Sequence, residues 1–85
     1  MPAPTEPPSD RVLRRRREIG DNIRDARLQA NLTQERLAER AGLSRGSVIR
    51  AELGTRAARV DWLIAIADAL HVPLSQLVRE PHERE

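Results

Sequence analysis

Between Thr33 and Gly54 the chain reads TQERLAERAGLSRGSVIRAELG, and few folds can accommodate such a segment. Leu37, Ala38 and Ala41 recur at helical spacing, Gly42-Leu43-Ser44 interrupts, and Val48 and Ala51 then resume the spacing. Thr33 and Ser44 are residue types whose side chains accept hydrogen bonds from the free N–H groups of a helix start. Glu35 stands in the first turn after Thr33, where the helix dipole favours an acid. Neither cap has Glu or Gln three residues on, so neither makes a capping box. Gly42 and Gly54 stand where each helix must end. The segment therefore reads as two short helices around a tight turn. Gly42 permits the turn, Leu43 plugs it from inside, and Ser44 caps the second helix.

Helical spacing continues on both sides. Ile19, Ile23, Ala26 and Ala30 form one apolar stripe, which Val12 extends upstream, and the helix is expected to stop near Asn31. A fourth helix covers about Val60 to Leu70, with Leu63, Ile66, Ala67 and Leu70 facing inward. Pro73 marks the start of a short fifth helix holding Leu74, Leu77 and Val78. No alternating β-branched or aromatic run is present, so no strand is expected. The expectation is an all-α, five-helix domain over residues 11–78. Residues 1–10 carry four prolines and are expected to be a flexible, disordered arm, with Ser9 or Asp10 as a cap for the first helix. Residues 79–85 are expected to be a polar tail.

Eighty-five residues leave room for one domain. Without cysteine there is no disulfide, thiolate metal site or cysteine nucleophile. His71 and His82 are isolated, so no metal site is expected. No nucleophile–base pair and no phosphate-cradling glycine loop exists, which excludes an enzyme and leaves no catalytic residue. The longest apolar run, Trp62 to Ala67, is far too short to span a membrane, and no signal peptide is expected. All fifteen basic residues are arginine. The net charge of +2 is uneven: residues 11–30 carry +4, residues 45–59 carry +3, and residues 60–85 carry −3. Two basic blocks suit an anionic partner on one face; a solvated charged surface accounts for the charge alone equally well.

Two short helices around such a turn make a helix-turn-helix, whose second helix is free to enter the major groove of DNA. The segment resembles the helix-turn-helix of the phage repressor and Cro type, the XRE family. Thr33, Gln34, Glu35, Leu37, Ala38, Gly42, Leu43, Ser44, Val48, Glu52 and Gly54 carry the resemblance. Ile19, Ile23, Arg27 and Leu28 resemble the family's first helix. Leu63, Ile66, Ala67, Leu70, Val72, Leu74 and Leu77 resemble its fourth and fifth. The resemblance covers roughly residues 16–78. It implies a five-helix repressor/Cro-like bundle that binds double-stranded DNA by sequence. Such a protein is a small transcriptional regulator, a symmetric homodimer on a palindromic operator, cytoplasmic and nucleoid-associated. No cofactor and no small-molecule ligand is expected.

On the recognition helix, 45–53, Val48 and Ala51 face the core, while Arg45, Gly46, Ile49 and Arg50 share the other face as candidate base contacts. The arginine fork matches the two major-groove acceptors of guanine. Ile49 suits a thymine methyl, or is simply an exposed isoleucine. Gly46 lets the helix approach DNA closely, or marks a position where a small residue is tolerated. Candidate phosphate contacts are Gln34, Ser44, Ser47, Thr55, Arg56 and Arg59, that of Gln34 on the resemblance. The resemblance also implies an internal ion pair between Arg27 and Glu52, a structural role. Arg14–Arg17 reads as a phosphate-binding arm or as an exposed first turn. His71 reads as a helix cap. Three residues depart from the family pattern: Ala51 is small, Leu53 is apolar, and Arg59 replaces a Ser or Thr cap.

Family dimers pack through the region after helix three and through helix five. Leu53, Val60 and Trp62, with Leu74 and Val78 as lesser members, are the interface candidates. Trp62 as a cap on the monomer core is the other reading. The alternative function is a protein-interaction module with the same fold and little DNA readout. Such modules often lose the basic residues of helix three and the following loop, whereas Arg45, Arg50, Arg56 and Arg59 are all present.

Overall fold

The structure, a computed structural model, describes residues 7–83. It contains α1 (Asp10–Gln29), α2 (Gln34–Ala41), α3 (Arg45–Leu53), α4 (Val60–Leu70) and α5 (Leu74–Val78), followed by a single 3-10 turn at Pro81–Glu83. The five-helix expectation holds, and no strand occurs among the described residues. Of the expected arm, residues 1–6 lie outside the described residues. Ser9 is the N-cap of α1, its side chain accepting from the Val12 N–H at 3.2 Å, and Asp10 is already helical.

Three helix ends close in one way. Asn31, Gly42 and His71 take left-handed backbone, with φ of 58°, 69° and 57°. Each is followed by an apolar residue whose N–H reaches back to the preceding helix. Leu32 donates to the Arg27 carbonyl at 3.1 Å, Leu43 to Ala38 at 2.9 Å and Val72 to Ala67 at 3.1 Å. Those bonds satisfy carbonyls that the helix end would otherwise orphan. They also turn Leu32, Leu43 and Val72 onto the core. The pairs Asn31-Leu32, Gly42-Leu43 and His71-Val72 therefore stop a helix and anchor the next connection together.

The centre of the core takes one side chain from each helix: Ile23, Leu37, Val48, Ile66 and Leu77 are all fully buried. Burying such a side chain is worth about 1.5–3 kcal/mol each. Ala30 differs from the expected apolar stripe: α1 ends at Gln29, and Ala30 is exposed as its C-cap. The residues after α5 are held against α1. Asn22 Nδ2 donates to the carbonyls of Leu77 at 2.9 Å and Arg79 at 3.0 Å. Arg15 donates to the Val78 carbonyl and Arg11 pairs with Glu80 at 3.3 Å.

Candidate nucleic-acid interface

The second helix of the helix-turn-helix, α3, sits on α1 at backbone distance. A Cβ placed on Gly20 would lie 2.3 Å from the Glu52 carbonyl oxygen, and one on Gly54 would lie 2.6 Å from that of Arg16. Neither position has room for a side chain. Val48 and Ala51 fill the remaining contact with the core. Gly54 also turns the chain with a φ of 66°.

A buried ion pair fixes the same joint. Arg27 Nε donates to Glu52 Oε2 at 2.6 Å and Nη2 to Oε1 at 3.0 Å, while Nη1 donates to the Leu32 carbonyl at 2.9 Å. Gln34 Nε2 adds a fourth bond, to Glu52 Oε1 at 3.2 Å. The Glu52 carboxylate thus joins α3 to α1 and α2, and the Arg27 guanidinium adds the α1–α2 connection through Leu32. Its fork geometry satisfies every nitrogen of the guanidinium, which is what allows both charges to be buried.

The opposite face of α3 is open. Arg45 and Arg50 are exposed, and Gly46 and Ile49 are half-buried beside them. Ile49 is thus less exposed than the sequence implied. Ser44 caps the helix, accepting from the Ser47 N–H at 3.0 Å, and the two hydroxyls meet at 2.8 Å. Ser47 corrects its sequence assignment. It is buried at 8 % exposure with its hydroxyl engaged by Ser44, so it belongs to the cap rather than to a phosphate-facing surface. The reason is position: Ser47 stands three residues from Ser44 and next to Val48, on the inward side.

The N-terminal ends of α2 and α3 flank a recess of about 360 Å³ lined by Arg27, Thr33, Gln34, Glu35 and Arg45. Backbone donors and positive dipole ends at such helix starts favour an anion. Beyond α3, Thr55, Arg56 and Arg59 are exposed. The Arg56-Ala57-Ala58 stretch lines a cleft of about 280 Å³ together with Val12, Arg16, Ile19 and Leu63. Among the described residues, Arg45, Arg50, Arg56 and Arg59 have no carboxylate partner. The Arg14–Arg17 run divides. Arg15 is tied to Glu18 at 3.0 Å and Arg16 supplies backbone to the Gly54 contact, while Arg14 and Arg17 are exposed. No group of three or more acids or histidines among the described residues could hold a metal ion.

The interface candidates also divide. Leu53 and Val60 are 59 % and 63 % exposed, and Val78 is exposed at its margin. Trp62 and Leu74 are half-buried, with Trp62 lining a cleft beside Arg50 and Arg56. Ile64, one turn on from Val60, is exposed with it. Sequence reasoning missed Gly20 and Asn22, and it did not anticipate the tie of Arg15 to Glu18 and the Val78 carbonyl. The available signals were a glycine next to Ile19 in the apolar stripe and an amide flanking Ile23.

A family model described as Helix-turn-helix matches residues 23–77. No curated protein matches the chain. Among solved structures, the restriction-modification controller protein C.AhdI from Aeromonas hydrophila is 31 % identical, with a TM-score of 0.69 over 72 % of this chain and 92 % of that one. The hypothetical transcription factor NHTF from Neisseria is 31 % identical, with a TM-score of 0.78 over 98 % of this chain and 93 % of that one. The clp gene regulator ClgR from C. glutamicum, at 24 % identity and a TM-score of 0.69 over 85 % and 86 %, shares the fold.

Proposed function

The chain belongs to the helix-turn-helix family of XRE type, whose members are DNA-binding transcription regulators and not enzymes, and on that premise we propose that it reads duplex DNA by sequence with α3 in the major groove. The observation that carries this reading is the contrast between the two sides of α3. One side is locked to α1 by Gly20, Gly54 and the buried Arg27–Glu52 pair, and the other presents Arg45 and Arg50 with no carboxylate partner among the described residues. Arg45, Gly46, Ile49 and Arg50 form the base-reading face. Gln34, Ser44, Thr55, Arg56 and Arg59 face the phosphates, which position the protein without carrying sequence information. The controller protein and the transcription factor, at 31 % identity, support a regulatory role. The place of work on this reading is the cytoplasm, at the nucleoid.

The proposal includes a symmetric homodimer on a palindromic operator. A two-fold dimer places its recognition helices about 34 Å apart, one turn of DNA. The exposed apolar side chains of Leu53 and Val60 support an interface there, with Trp62, Leu74 and Val78 around it. Selection of bound sites from random duplexes tests both parts, because it yields the half-site and its symmetry together. Because arginine–phosphate contacts release counterions, binding should weaken with salt, six such contacts across the complex giving a log–log slope of about −5. A slope near zero, or no duplex retained at low salt, removes the DNA reading and favours a protein-interaction module. Trp62 emission should change as sedimentation shows the dimer giving way to monomer on dilution. An unchanged spectrum excludes Trp62 from the interface, and a monomer on DNA excludes the dimer.

A further inference from the structure

We propose that Gly46 is a specificity-determining position that acts through Arg50, by providing the seat for the Arg50 guanidinium on the first turn of α3. The proposal rests on the DNA reading above and names how one of its contacts is set.

Neither backbone conformation nor packing asks for glycine at this position. Gly46 lies inside α3, and the positive-φ glycines are Gly42 and Gly54, so an alanine would adopt its backbone freely. Glycine is also a weaker helix former than alanine. Gly46 also differs from Gly20, where an added Cβ would strike the backbone of α3. At Gly46 the three side-chain atoms nearest to the added Cβ all belong to Arg50. The Cβ would lie 3.2 Å from Arg50 Nη1 and 3.7 Å from both Cζ and Nη2. What the missing side chain leaves room for is therefore the head of Arg50.

Helix geometry explains the meeting. Residues four apart share a face, and helical side chains lean towards the N-terminus, so Arg50 runs back over the turn that contains Gly46. There it stands near the helix start beside Arg45, with no ion pair of its own among the described residues. An arginine fork reads guanine by two parallel hydrogen bonds, which tolerate displacement of only about 0.5 Å. At 3.2 Å a Cβ sits closer than ordinary van der Waals contact, and the flexible fork yields rather than the fold. A side chain at position 46 thus moves the reading group and leaves the helix intact.

The test is a double-variant cycle in the full chain: wild type, Gly46→Ala, Arg50→Ala and both together. Each is measured on the duplex that wild type selects and on duplexes with single base pairs replaced. Arg50→Ala should lower discrimination at one base pair by about tenfold or more. Gly46→Ala should lower discrimination at that same base pair, and should have no further effect when Arg50→Ala is already present. Its melting temperature should equal or exceed that of wild type, because alanine is the better helix former. A Gly46→Ala loss that persists in the Arg50→Ala background means Gly46 approaches DNA directly, and overturns the proposal. So does unchanged discrimination, or a lowered melting temperature. If wild type selects no duplex at all, the DNA reading itself falls; if it does and the cycle shows no coupling, only the Gly46 proposal falls.

Discussion

Behind α3, Arg27 is buried and each of its guanidinium nitrogens donates a hydrogen bond, two of them to Glu52. In front of α3, Arg45 and Arg50 are exposed and have no carboxylate partner among the described residues. The same side chain serves opposite ends in the two places. A buried charge must be matched, so Arg27 is committed to Glu52 and the Leu32 carbonyl and holds α3 against α1. An unmatched charge at the surface remains solvated and keeps its donors for an incoming anion. A short helix with only nine residues, which would not persist alone, can thus present a defined face when its back is fully committed.

Stability effects should accordingly be large behind α3 and small in front. Glu52→Ala should have the largest effect, about 3–5 kcal/mol in urea unfolding, because it strands the Arg27 charge in the interior. That is a large share of the roughly 5–15 kcal/mol typical of a small domain. Replacing both partners, Arg27→Met with Glu52→Leu, should recover most of this loss. A Glu52→Ala cost below about 1 kcal/mol, the scale of an exposed pair, would erase the distinction between the two regions.

Gly20→Ala should come next, at about 1–3 kcal/mol, since its Cβ would meet backbone that cannot yield cheaply. Thermal melting that matches wild type would show that α1 and α3 can separate without penalty. In front, Arg45→Ala and Arg50→Ala should each leave stability within about 0.5 kcal/mol. Each should remove about 1–3 kcal/mol of base discrimination on the selected site. A stability loss comparable to that of Glu52→Ala would place these arginines in the fold rather than on its reading face.

The smallest effect belongs to Arg56→Ala. It should weaken every duplex alike and reduce the salt slope by about 1, without changing the preferred sequence. Arg56→Ala that altered the selected site while Arg50→Ala did not would reverse the assignment of groove and phosphate contacts.

Much of the fold and of the candidate site is legible in the chain because it is local. Thr33 and Ser44 cap the next helix through bonds to residues three positions away, and Gly42 and Gly54 end helices where only a left-handed residue fits. The helical recurrence of Val48 and Ala51 also settles which side of α3 is inward. Ser47 escapes such reading because inward and outward arcs of a short helix meet there, and a hydroxyl can serve on either. Gly46 reads equally as a close approach to DNA or as a tolerated small residue, because spacing cannot show where a flexible arginine head rests. The Arg14–Arg17 run is just as open, since four adjacent arginines point to different sides of one helix.

The elements, their order and their stops are properties of the chain alone, because capping, glycine turns and apolar periodicity act over three to five residues. So is the gathering of positive charge on α3 and the loop after it. How α3 is mounted is settled only in three dimensions. The backbone contact at Gly20, the crossing of Arg27 to Glu52 and the tie from Asn22 to Leu77 and Arg79 join positions 25 to 57 residues apart. Such contacts leave no periodic mark in the chain, because they depend on the distance between two helix axes. That distance exists only once all five helices have closed on the core.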